Sequence, residues 1–196
     1  MNLDAPGLAN AVVRLENFGP EHRDALEASG AIDDMWRWMP VIEGGVSFDN
    51  YFASTLKHRD LGHIKPFAVF RQSDDAFAGV SEFGVINALH RRVRISAFWH
   101  PPSMRGTLVF PATQCLLIQR ALDWGARRIA WVVDTRNEPA FRAFQKLGAT
   151  HEGTLRSFMR LTDGSRADMH SLSMLRDEAK EAVERLEAQI ADAHVA

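Results

Sequence analysis

Residues 129–156 read IAWVVDTRNEPAFRAFQKLGATHEGTLR, and this stretch decides the fold. The β-branched run at 129–133 predicts a short strand. After a turn, Asn137 stands where a helix N-cap belongs. Pro139 follows in the first turn, where a missing N–H breaks no helical bond. Ala140, Phe141, Phe144 and Leu147 recur at helical spacing. Lys146 falls in the last turn and Gly148 at the C-cap, where glycine accepts the left-handed conformation. A second strand begins near His151. A strand–turn–helix unit of this kind often faces a ligand, because the helix N-terminus presents unpaired N–H groups.

Working outward, residues 151–161 and 168–175 predict two strands joined by Thr162-Asp163-Gly164-Ser165. Residues 176–193 predict a helix with Ala179, Val183, Leu186 and Ile190 spaced by four, three and four. That stripe either packs on its own domain or forms a homodimer contact. Upstream, Pro111 opens a helix that runs to Trp124 and stops at Gly125. Thr113, Arg120 and Asp123 form its polar face; Ala112, Cys115, Leu116 and Leu122 form its apolar face. Residues 92–99 predict a strand with Val93, Ile95, Ala97 and Trp99 alternating, broken by Pro101-Pro102. Residues 67–70 and 77–86 predict strands around the turn Ser73-Asp74-Asp75, with Gly79 and Gly84 at bulge positions. Nearer the N-terminus come a strand at 11–15, a helix at 20–29 closed by Gly30, and a helical piece at 32–39 carrying Trp36, Trp38 and Met39. Ser47 then caps a helix with Phe48, Phe52 and Leu56 on one stripe, reaching about Asp60. No repeat or linker interrupts the chain. The expectation is one α+β domain over 1–196, with a mixed, mostly antiparallel sheet, helices on both faces and a C-terminal helix.

The chain has 196 residues, 46% hydrophobic and 24% charged, with a formal net charge of -2. One domain with a sizeable core fits that length. The charge argues against nucleic acid as a partner, since phosphate neutralisation needs a basic surface. His90-Arg91-Arg92-Val93-Arg94 is either an anion patch or a solvated strand start. Cys115 is the only cysteine, which excludes an intrachain disulfide and a cysteine zinc site; it reads as a small core residue. The eight histidines include no i, i+4 pair, so no metal is expected. The N-terminus lacks a basic and then apolar leader, and no run reaches the roughly 20 apolar residues of a membrane span. A cytoplasmic protein without a membrane partner is the expectation.

The segment 101–111, PPSMRGTLVFP, joins a strand to a helix N-terminus, a junction suited to phosphate. Taken with NEPAFRAFQKLGA, EGTLR, the later Gly164-x-x-x-Asp168 followed by Ser173, and the early Trp36-Arg37-Trp38-Met39-Pro40, this order of words resembles the GNAT acetyltransferase superfamily. It is most similar to the branch of the RimJ/RimL ribosomal-protein N-acetyltransferases, over roughly residues 66–175. The resemblance implies an N-acetyltransferase that moves an acetyl group from acetyl-CoA to a primary amine, either a protein N-terminus or a small amine. The alternative is a non-catalytic acyl-CoA-binding or regulatory protein on the same fold.

Carried across, Met104, Arg105, Gly106, Thr107, Leu108 and Val109 would offer backbone amides to the pyrophosphate. Pantetheine would lie between the strands 92–99 and 129–133, bordered by Asn137, Phe141 and Phe144. A strand N–H near Phe98 or Trp99 would stabilise the oxyanion. Glu82 is the leading general base, against its reading as an exposed strand glutamate, and His170 is the second proton acceptor. Glu152 belongs to the family's EG word or caps a strand turn. Trp36, Trp38, Phe83 and Trp99 line an acceptor pocket or form aromatic core. The chain departs from the family at Leu108, where a Gly or Ala is usual, and at Ala140, where a serine could assist the leaving thiolate. Ala112 and Ala167 replace a usual acidic residue and arginine.

Overall fold

Eight strands in the order β1-β2-β3-β4-β5-β6-β8-β7 form one open sheet in the computed structural model, which describes residues 3–30, 38, 40–42 and 44–195. The strands are β1 (Leu8–Ala9), β2 (Val13–Asn17), β3 (Lys65–Arg71), β4 (Phe77–Asn87), β5 (Arg92–Trp99), β6 (Arg128–Asp134), β7 (Thr150–Arg160) and β8 (Arg166–Leu175). All neighbouring pairs are antiparallel except β5–β6, which is parallel. The helices are α1 (Arg23–Ala28), α2 (Phe48–Asp60), α3 (Val109–Asp123), α4 (Glu138–Lys146) and α5 (Arg176–Val195). The helix expected at 32–39 falls outside the described residues except for Trp38, and Trp36 falls outside them too.

Local chemistry explains most boundaries. Ser47 accepts a bond from the Asn50 N–H and starts α2. Asn137 accepts one from the Ala140 N–H at 3.3 Å and starts α4; Gly148 ends it at φ +93°. The strand expected from residue 11 is β2, which begins at Val13. The Asn10 carboxamide accepts bonds from both the Val12 and Val13 N–H groups, which makes residues 10–13 a turn and leaves β1 before it. Helix α3 starts two residues before Pro111, which sits in the first turn where its missing N–H matters least.

Two main cores flank the sheet, with a minor cluster of Leu161, Ala167 and Met169 beside them. The larger packs α3, α4 and α5 on one face, with Val93, Ile95, Leu117, Ile118, Trp131 and Phe144 among its buried residues. The smaller packs α1 and α2 on the other, around Leu26, Phe52, Ala68, Val80 and Trp99. Helix α5 lies on α3, so α3 is covered from two sides. Thr113, expected on a polar face, is wholly buried, as is Gln114, which faces the sheet and accepts a bond from the Trp131 indole N–H at 3.1 Å. The α5 stripe of Ala179, Val183, Leu186 and Ile190 is buried within its own domain. Among the described residues no helix is long and apolar enough to cross a membrane, and no group of three or more metal-binding side chains occurs.

Candidate active site

Strands β5 and β6 pair at Arg92–Arg128, Val93–Ile129 and Arg94–Ala130, and no further. Both continue beyond that rung, so an open seam lies between them. Its cause is a bulge in β5. The register against β4 shifts between Val80 and Glu82, and Ala97 takes φ +48°. A non-glycine residue in that region swings the next N–H and carbonyl out of the ladder. Phe144 of α4 wedges the seam from the α3–α4 face. Its buried ring lies 4.7 Å from Phe98 on β5, 5.3 Å from Trp131 on β6 and 5.3 Å from Phe110.

The loop leaving β5 ends at the N-terminus of α3, directly beyond the seam. Leu108, the N-cap, supplies no side-chain cap. The Met104 and Arg105 amides close a 3-10 turn onto Pro101 and Pro102, and the Val109 amide meets the Thr107 hydroxyl at 3.3 Å. Among the described residues, the amides of Gly106, Thr107 and Leu108 bond no protein group. Gly106 has φ +72° and open space where a Cβ would stand. Three unpaired N–H groups at the positive end of a 15-residue helix suit a phosphate. The expected set of six amides thus narrows to three, because the 3-10 turn occupies Met104 and Arg105 and the Thr107 hydroxyl partners Val109.

On the opposite face, under α2, Glu82 accepts a hydrogen bond from the Ser96 hydroxyl at 2.9 Å. Burial pushes its carboxyl above the usual range, against the Ser96 bond and the nearby positive charge of Arg94. Tyr51 of α2 is buried and held protonated, first by burial and then by the charge of Glu82. Gly84 makes room for the arrangement, since a Cβ there would lie 2.8 Å from the Ser96 hydroxyl. Glu82 thus stands one strand from the seam with its carboxyl pKa raised, a combination that marks candidates for proton transfer.

Several expected site residues stand elsewhere. Phe83 is wholly buried on the α3 face, 4.5 Å from the Trp124 ring, and offers no surface to an acceptor. It follows Glu82 directly, and neighbours along a strand point to opposite faces. His170 is also on the far face from Glu82. Its ring packs 4.2 Å from Phe141 and its Nδ1 lies 3.1 Å from Nε2 of His151. Phe141 thus borders that histidine pair, while Phe144 holds the seam. Trp99 is buried under α2 as core. Trp38 lies beside Arg136, whose guanidinium is 5.9 Å from its ring. Glu152 is ion-paired with Arg128 and accepts a bond from Ser173 at 2.9 Å; the Arg128 partner leads in holding it down to about 2, so it ties β7 to β6 and β8 as an anion. The sequence alone does not single out Tyr51, Arg94 or Ser96, although Arg94 lies within the basic run. The alternation of Val93 and Ile95 carries the signal that puts Arg94 and Ser96 on the side of Glu82.

No family model matches the chain, and no curated protein matches its sequence. Solved structures do. An acetyltransferase from T. thermophilus is 24% identical, with a TM-score of 0.83 over 96% of this chain and 99% of that one. A GNAT-family acetyltransferase from Chromobacterium violaceum is 25% identical, with a TM-score of 0.80 over 89% and 88%. Mycobacterium smegmatis RimJ, in complex with CoA-disulfide, is 20% identical, with a TM-score of 0.77 over 94% and 93%. The parted strands, the bare helix N-terminus behind them and these overlaps together give the chain the fold of the GNAT acetyltransferases.

Proposed function

We propose that this chain is an acetyl-CoA-dependent N-acetyltransferase acting on a primary amine, with a protein N-terminus and a small amine as the two candidate acceptors. The observation that carries the reading is the seam between β5 and β6, open beyond Arg94–Ala130 and ending at the unpaired amides of Gly106, Thr107 and Leu108. A thin, extended co-substrate with a pyrophosphate fits this combination, and the RimJ neighbour was solved with a CoA disulfide. Asn137 and Phe144 border the seam on the α4 side.

Two of the three chemical requirements, deprotonation of the amine and stabilisation of the oxyanion, have a named group. The acceptor amine must be neutral to attack, and an α-amine with a pKa near ~8 needs less help than a lysine near ~10.4. Glu82, approached from the α1–α2 face, takes the proton directly or through a water. The β5 backbone near Phe98, turned out of the ladder at Ala97, donates to the developing oxyanion. Ala140 has no hydroxyl for the leaving thiolate. A slow transferase, or an acyl-CoA-binding protein, is what that substitution favours as the second reading.

Acetyl-CoA at about 100 times its Kd is expected to add about 2.7 kcal/mol of stability, read as a rise in Tm. No rise at millimolar acetyl-CoA would sink both readings. Thiol release across a panel of amines and peptides then separates them: turnover supports the transferase, and silence alongside a clear Tm rise supports the binding protein. Gly84→Ala refines the assignment of the base. The added methyl displaces the Ser96 hydroxyl, which favours the charged form of Glu82. The acid limb of the pH–rate profile is expected to move to higher pH, with about 1 kcal/mol lost from stability. An unmoved limb would show that Ser96 does not tune the base.

A further inference from the structure

Arg94 is a half-buried cation without a hydrogen-bond or ion-pair partner among the described residues. Its Nε is enclosed and unbonded, and the guanidinium makes no hydrogen bond or ion pair among the described residues. Removing a charge from water without a counter-ion is unfavourable, so such a group is normally paired. Burial lowers its pKa, and only the more distant charge of Glu82 opposes this. Its position is specific. Arg94 pairs with Ala130 at the last rung before β5 and β6 part, and with Gly84 on its other side. Neither neighbour has a side chain beyond a methyl. Val93 and Ile95 point into the α3-side core, so Arg94 points to the face that carries Glu82 and Ser96. Glu82 pairs with Ser96, two residues along β5, so Glu82 and Arg94 are diagonal neighbours, roughly 7–8 Å apart along the sheet.

Resting on the transferase reading above, we infer that Arg94 selects an acceptor that carries a carboxylate within a few bonds of its amine. With the amine at Glu82, the carboxylate of a free amino acid, or the side chain of an acidic first residue of a peptide, falls over Arg94. The guanidinium fork then gains the two parallel charge-assisted bonds it lacks. Ala130, the β6 neighbour of Arg94, presents only a methyl beside it. The two sources share one chemistry, an amine and a carboxylate close together.

The test is a binding titration with matched ligands, run with and without CoA. One pair is a free amino acid and its amide; the other is a short peptide beginning with Glu and the same peptide beginning with Gln. In the wild-type protein the anionic member of one pair is expected to bind about 10- to 100-fold more tightly. The pair that discriminates identifies the source. Arg94→Gln is expected to reduce the discrimination to about threefold or less, and Arg94→Lys, which keeps the charge but not the fork, to an intermediate value. Equal binding within both pairs by the wild-type protein overturns the inference. So does discrimination that survives in Arg94→Gln, or in Arg94→Lys at full strength if the glutamine variant does not fold. Acetyl-CoA binding is measured on the same samples. Its absence falls on the transferase reading, whereas loss of discrimination alone falls on Arg94.

Discussion

Glu82→Gln is expected to lower kcat/KM by about 10²- to 10⁴-fold while raising the melting temperature near neutral pH. The first half follows from the loss of the only proton acceptor assigned to the acceptor face. Glutamine still accepts the Ser96 bond, so geometry is kept and basicity removed. The rising acid limb of the pH–rate profile, which reports ionisation of the buried carboxyl, disappears with it. The second half follows from linkage. Burial raises the carboxyl's pKa in the folded protein above its unfolded value. Its contribution is whole below the unfolded pKa of about 4.3 and is lost as pH rises through the folded value. Above that window the wild-type protein carries a desolvated charge that the variant lacks. The stability gain is therefore largest above the folded pKa and closes on approaching about pH 4. A variant with the wild-type rate across the pH range would remove Glu82 as the base.

Gly79→Ala is expected to reduce stability by about 3–5 kcal/mol, read as a shift in urea midpoint. Gly79 has φ +136°, and a Cβ built there lies 2.1 Å from the Trp99 carbonyl oxygen and 2.7 Å from Nδ1 of His100. A carbonyl in a sheet cannot step aside. The His100 ring is equally constrained, because its Nδ1–H donates to the Ala78 carbonyl at 2.6 Å, and burial holds the imidazole neutral, its pKa down at about 4. Gly106→Ala is the comparison. Its φ of +72° is also unfavourable to a side chain, but the surrounding space is open, so about 1–2 kcal/mol is expected. If the two variants differ by less than about 1 kcal/mol, the close approach of β4 to the end of β5 is not what requires glycine at 79.

The sequence is most informative where structure is set by neighbours along the chain. Asn137, Pro139 and Gly148 bound α4 through caps and backbone freedom, which need no tertiary contact. The order of strands and helices follows from such signals, and so does the loop at Gly106. What depends on the face of a strand is less legible. Val93, Ile95, Ala97 and Trp99 read as one alternating stripe, yet Ile95 lies in the α3-side core and Trp99 in the opposite core. The bulge at Ala97 inserts one residue and turns the remainder of the strand over, and no local signal announces it. Phe83 reads as an acceptor-pocket residue because it adjoins Glu82, although the period of a strand sends it to the other side. Thr113 reads as polar surface, yet it is wholly buried, and nothing within α3 reveals that its flank is covered.

A sheet that opens between β5 and β6 has an edge in its middle as well as at its rim. Outer edges invite other chains, and proteins defend them with charge, bulges or short strands. Here the exposed backbone is guarded by its surroundings. Helices α3, α4 and α5 pack on one face of the sheet and α1 and α2 on the other, so layers of helix limit how a second polypeptide strand could approach it. The same enclosure admits something narrower than a strand. The fold thereby keeps hydrogen-bonding capacity unused in its interior, where helices rather than charged edge residues stand guard.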